Sequence, residues 1–232
     1  MRLPRFIIGF SILVGIPFIF LLYARLTGGL QFYTIASISG EPNLKKGEYM
    51  FATDWIEPEP LDLLVHISRA PTGAGEAWIQ RLCGLPGDTV EIRDGRLMVN
   101  GRDVDGKLRL GLQWIAPASV ARDFEQQGKA DGLMPLPNGD SVLFWCDEFE
   151  ASDVKGVLRY AMPDSFPDDR LWVRADDDWD LDHFGPLVVP TDSVFVLGDN
   201  RYQSLDSRFF GFVAQADIIG VAFDPRLRGS ER

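Results

Sequence analysis

The stretch that most restricts this chain is an almost unbroken apolar run from Phe6 to Tyr23, FIIGFSILVGIPFIFLLY. Coiled as an α-helix, its 18 residues reach about 27 Å, close to the roughly 30 Å hydrocarbon layer of a bilayer. Gly9, Gly15 and Pro17 are tolerated in a spanning helix, where neighbouring groups re-satisfy the backbone. A cleaved export leader is the competing reading. The run exceeds the ~7–15 apolar residues of such leaders, and Arg25-Leu26 follows it instead of a small-x-small cleavage site. Residues 6–23 are therefore read as an uncleaved, single-pass anchor in contact with the lipid bilayer. Arg2 and Arg5 precede the run and Arg25 follows it. That asymmetry places the N-terminus in the cytoplasm and the rest of the chain on the outer side of the cytoplasmic membrane.

Beyond the Thr27-Gly28-Gly29 link, the texture is that of a β protein. Strands are expected at Tyr49–Thr53, Leu63–Ile67, Trp78–Leu82, Thr89–Ile92, Arg96–Asn100 and Ile218–Phe223, with Asp94-Gly95 as a hairpin signal. Short strands at this spacing predict a mainly β fold, a barrel or sandwich. From about Asp105 to Pro190 the chain becomes rich in Asp, Pro and Trp. It reads as an inserted β-rich subdomain, with strands at Val142–Trp145 and Leu171–Val173. The expected organisation is thus an anchor and linker (1–29), a main domain (30–104 and 191–232) and an insertion (105–190).

The formal charge of −11 argues against a nucleic-acid partner. Cys83 and Cys146 lie in apolar runs and read as small buried residues, with pairing left open. Asp176, Asp178, Asp180 and Asp182 alternate, but Leu181 and Leu187 stand where a calcium loop needs Gly and Glu, so a solvated acidic loop is expected. His66, alternating with apolar neighbours, reads as a satisfied strand residue. No metal site is read, and no cofactor motif.

Chemistry concentrates elsewhere. Gly198 to Val213, GDNRYQSLDSRFFGFV, leaves an apolar strand and packs acids, arginines and serines ahead of an aromatic pair. Such a knot suits charges held in fixed geometry, and equally suits a capped turn with one structural ion pair. Near the other end, an extended approach ends in Ser37-Ile38-Ser39-Gly40-Glu41-Pro42. On a strand, Ser37 and Ser39 face one side, as a nucleophile and a neighbouring donor would. Serines that favour a strand-end turn explain the same residues.

Together with Arg81-Leu82-Cys83-Gly84-Leu85-Pro86-Gly87-Asp88, these blocks resemble the type I signal peptidase family, membrane-anchored serine endopeptidases that remove the signal peptides of exported preproteins. The resemblance implies a signal-peptidase-like β catalytic domain. It places Ser39 at the nucleophile position and Ser37 in the oxyanion hole. Asp199, Ser204, Asp206 and Arg208 take the place of the bracing network. Ile35, Ala36, Leu44 and Ile79 match the walls of pockets that accept small side chains. At the general-base position, where the family has lysine, this chain has Gln80. A carboxamide takes no proton from a serine at accessible pH. Gly40 and Asn43 also replace the family's usual methionine and threonine. The lysines are Lys45, Lys46, Lys107, Lys129 and Lys155; Lys45 and Lys46, nearest Ser39 in sequence, are expected in an exposed turn. The reading that follows is a signal-peptide endopeptidase with altered or slow catalysis, or a pseudoprotease that binds export substrates or a partner without cutting.

Overall fold

The computed structural model describes residues 5–137, 139–160, 171 and 179–223; within these the side chains of residues 5–12, 26, 107 and 131 lie outside the description. Helix α1 covers Arg5–Leu26. From position 13 onward it turns apolar side chains outward, Leu13, Ile16, Phe18 and Ile19 being 63–72% exposed. The first part of the expected bilayer span, residues 6–12, falls outside the described side chains. Among the described residues no helix is long and apolar enough to cross a membrane. The end of α1 is tied to the sheet: Phe20 meets the Trp55 ring at 5.8 Å, and the Thr53 hydroxyl donates to the Gly29 carbonyl at 2.7 Å.

Four strands follow: β1 (Gln31–Thr34), β2 (Tyr49–Thr53), β3 (Leu63–Ile67) and β4 (Ala77–Gly84). Strand β2 alternates, with Met50 and Ala52 buried and Tyr49 and Phe51 exposed. Strand β3 has no wet face. Leu63 and Val65 pack on one side with Ile35, Leu44 and Met50, while Leu64 packs on the other with Leu82, Val196 and Val221. Opposite pointing of successive side chains puts one strand between two cores, and each such side chain contributes about 1.5–3 kcal/mol by burial.

Strands β5 (Thr89–Arg93), β6 (Arg96–Val99) and β7 (Arg102–Asp103) form a meander. The β5–β6 turn is the expected Asp94-Gly95 hairpin, both residues at positive φ (49° and 67°), which matches the right-handed twist of the strands. The next unit contains β8 (Gly111–Pro117), α2 (Ala118–Gln126), β9 (Ala130–Pro135), β10 (Ser141–Asp147), α3 (Glu148–Ala151) and β11 (Leu158–Arg159). The sequence reading had only strands here. Helix α2 arises because Ala121 and Phe124, three apart, share one face and bury it against Trp114 and Phe144. The expected strand Leu171–Val173 and the aspartates 176 and 178 lie outside the described residues, Leu171 excepted.

Strand β12 (Phe184–Val188) pairs with β5, so the second sheet runs β12-β5-β6-β7; the third runs β11-β8-β10-β9. Strand β13 (Ser193–Leu197), the one-turn α4 (Ser207–Phe210), β14 (Val213–Ala214) and β15 (Ile218–Phe223) complete an antiparallel seven-stranded sheet in the order β1-β2-β15-β3-β4-β13-β14. Distant segments thereby become neighbours: β4, carrying Gln80, lies beside β13, whose end leads into Gly198. Cys83 and Cys146 are buried and unpaired, and burial pushes each thiol up to about 12.

Candidate active site

The strand expected to carry the two serines stops at Thr34, and residues 37–44 form a turn. The turn still brings the hydroxyls together, Ser37 Oγ lying 2.8 Å from Ser39 Oγ. Two hydrogen bonds from Asn200 fix this turn from the far end of the chain. Its backbone N–H donates to the Ser39 carbonyl (3.0 Å) and its Nδ2 to the Ile38 carbonyl (3.2 Å). A third tie comes from Asn43, whose Nδ2 donates to Asp199 Oδ2 (2.7 Å) and to the Arg109 carbonyl (2.8 Å). Gly40 is explained by contact: a Cβ there would sit 2.9 Å from the Leu44 Cβ. A larger residue at position 40 would force Leu44 to shift.

Beside the turn is a cavity of about 400 Å³. Ser37, Ser39 and Gln80 line it, together with all four expected pocket residues, Ile35, Ala36, Leu44 and Ile79. Glu76, Trp78, Gln203 and Leu205 also line it, residues that sequence reasoning did not single out for the site. Such a cleft, mostly apolar with a few convergent polar groups, is the usual form of a ligand site.

Gln80 is buried, 3% exposed, and held at both ends. Its Nε2 donates to the Leu205 carbonyl at 2.8 Å and lies 3.5 Å from Ser204 Oγ, while its Oε1 faces His66 Nε2 at 3.0 Å. His66 is fully buried on β3, and burial lowers its pKa against the smaller opposing effect of the bond to Gln80. The expectation of a satisfied strand histidine is met, but its partner is the site residue itself. The signal was two uncharged-capable polar side chains, His66 and Gln80, interrupting the apolar runs of adjacent strands.

The knot after β13 braces the cavity from behind. Among the described residues three arginine–carboxylate pairs are buried at both ends: Arg81–Asp199, Arg208–Asp206 and Arg201–Asp105. Arg81 reaches Asp199 through Nε and Nη2, both at 2.6 Å. Arg208 grips Asp206 through Nε (2.8 Å) and Nη2 (2.7 Å) and also donates to the Arg201 carbonyl. Asp206 in turn accepts from the Gly198 N–H. Asp199, Asp206 and Arg208 thus stand behind the cavity wall and do not line it. The Arg201–Asp105 pair, which ties this knot to the segment between β7 and β8, was not visible in sequence.

Lys45 and Lys46 are exposed, and among the described residues no lysine lines the cavity. Among the described residues no cluster of His, Cys, Asp or Glu could hold a metal ion. Asp180 instead accepts from the backbone N–H groups of Asp182 and His183, as in a tight turn.

A family model described as signal peptidase, peptidase S26, matches residues 7–225. The chain belongs to that family. Among its relatives, a signal peptidase I of Aquifex aeolicus is 29% identical over 203 residues, covering 83% of this chain and 74% of the relative. Signal peptidase I S of Bacillus subtilis is 28% identical over 146 residues, 62% of this chain and 49% of the relative. The chain therefore spans about half the length of that relative. A solved signal peptidase I from Enterococcus faecalis shares 27% identity over 72% of this chain and 97% of its own, with a TM-score of 0.36.

Proposed function

We propose that the chain is a membrane-anchored signal-peptidase-type serine endopeptidase acting on the signal peptides of exported preproteins, slowed by the carboxamide at position 80. The observation that carries this reading is the Ser37–Ser39 hydroxyl pair opening into an apolar cavity that Gln80 also lines. The catalytic body comprises residues 30–104 and 191–232, interrupted by the insertion 105–190. Residues 6–23 anchor it with the N-terminus in the cytoplasm, supported by the all-round apolar exposure of α1 from position 13 on.

In this reading an extended peptide lies in the cleft with small side chains against Ile35, Ala36, Leu44 and Ile79. Ser39 Oγ attacks the scissile carbonyl carbon, and the carbonyl electron pair moves onto oxygen, where the Ser37 hydroxyl donates to it. Collapse breaks the C–N bond, the leaving amine takes a proton from solvent, and water then hydrolyses the Ser39 ester. An oxyanion donor of this kind is worth ~10²–10³ in rate. Gln80 offers no basic site, and in this reading the Ser39 proton goes to solvent. The missing general base costs ~10²–10⁴.

A second reading, a pseudoprotease that holds export substrates or a partner segment without cutting, is favoured by Gln80 being engaged at both ends. One experiment separates the two. The chain is reconstituted in lipid with a preprotein substrate, beside Ser39→Ala and Gln80→Lys. Cleavage by the native chain that vanishes in Ser39→Ala supports the peptidase, and a gain of orders of magnitude in Gln80→Lys supports a complete site lacking only its base. Peptide binding with no cleavage by any variant supports the second reading. No binding and no cleavage would refute both.

A further inference from the structure

We propose that His66 is a positioning residue of the site: its imidazole holds the Gln80 carboxamide so that residue 80 turns N–H donors, and no acceptor, towards Leu205, Ser204 and the cavity. The inference rests on reading that cavity as the peptide site. The Leu205 carbonyl can only accept, so the Gln80 atom 2.8 Å from it is the nitrogen. The carboxamide oxygen is then the atom 3.0 Å from His66 Nε2, and the ring must carry its proton on that nitrogen. His66 is fully buried and does not line the cavity. The Phe210 ring covers it at 6.3 Å, and Trp78 packs edge-on against Phe210 at 5.8 Å. It acts on a bound peptide only through Gln80.

The pairing is selective. An apolar side chain at 66 would leave the carboxamide oxygen buried without a partner. A lysine at 80 carries no acceptor, so it removes the partner of His66 Nε2–H, and the ring then places its proton on Nδ1, which lies 3.3 Å from the Ile67 carbonyl. The tautomer of His66 therefore reports what residue 80 presents.

The test uses the full chain in lipid nanodiscs with ¹⁵N-labelled histidine at about pH 7.5, above the ordinary histidine range. The sequence has two histidines, so His66→Gln assigns both sets of signals. The expected native spectrum shows protonated Nε2 and unprotonated Nδ1 for His66, and Gln80→Lys exchanges the two. His66→Leu is expected to weaken binding of a signal-peptide analogue about tenfold, the worth of one buried hydrogen bond. His66→Gln, which keeps an N–H of similar reach, recovers most of that loss. An unprotonated Nε2 in the native chain overturns the proposal, as do His66 signals unmoved by Gln80→Lys. Should no version bind the peptide, the peptide-site reading falls, while the native tautomer still decides the pairing.

Discussion

The Arg81 guanidinium holds the Asp199 carboxylate through two hydrogen bonds of 2.6 Å, with both side chains buried. Arg81 follows Gln80 on β4, and Asp199 lies between Gly198 and Asn200, so this pair joins the two walls of the cavity. Asn43 adds the serine turn to the same carboxylate. Asp199→Asn leaves a buried cation uncompensated and is expected to cost about 3–5 kcal/mol. Urea denaturation in detergent measures it; a loss below about 1 kcal/mol would mean the pair is not what holds the walls together.

Gly198 is needed for space. A Cβ there would collide with the Ser204 side chain and stand 2.7 Å from the Ser39 carbonyl oxygen. Gly198→Ala must therefore displace the Ser39 turn, at an expected cost of about 1–3 kcal/mol in stability. Peptide affinity should fall by at least about tenfold, since the turn positions both hydroxyls. Calorimetric titration of a signal-peptide analogue, alongside melting curves, checks both.

In the proposed reading, Ile35, Ala36, Leu44 and Ile79 select small side chains of the peptide. Ile79→Ala removes bulk from the wall and should admit a peptide with valine in place of alanine. The discrimination between the two is expected to narrow by about 1–3 kcal/mol, the usual worth of a few methylenes in an apolar pocket. Competition binding with the matched peptides measures the change. An unaltered ratio would show that Ile79 does not contact the selecting side chain.

Burial lowers the His66 pKa, so the folded chain keeps the ring neutral where the unfolded chain, titrating near ~6.5, takes up a proton. The unfolded state then binds more protons, and stability falls as pH drops below about 6.5 towards the folded value, staying level above it. His66→Gln should flatten that part of the profile. Melting temperatures between about pH 7.5 and 5 test it; equal slopes for both chains would place the acid sensitivity elsewhere.

Periodicity and turn chemistry made much of the scaffold legible. Tyr49–Thr53 and Leu63–Ile67 appear as read, as does the Asp94-Gly95 hairpin, because strand alternation and positive-φ turns are properties of a few adjacent residues. The serine turn shows the limit: the hydroxyls face each other as expected, but in a turn stabilised by Asn200, 161 positions beyond Ser39. Helix α2 was missed because nine residues carry too little period to outweigh a Pro- and Asp-rich setting, and its formation rests on burying Ala121 and Phe124.

By itself the sequence determined which side chains stand at each site position, including the carboxamide at 80, and where the strands run. Only the tertiary structure decided which buried polar groups meet: His66 with Gln80, Gln80 with Leu205, Arg201 with Asp105. Every arginine is chemically able to pair with any carboxylate, and every amide with any carbonyl. The order of strands in the sheet selects among them, since each buried group must be satisfied by whatever the fold brings within about 3 Å.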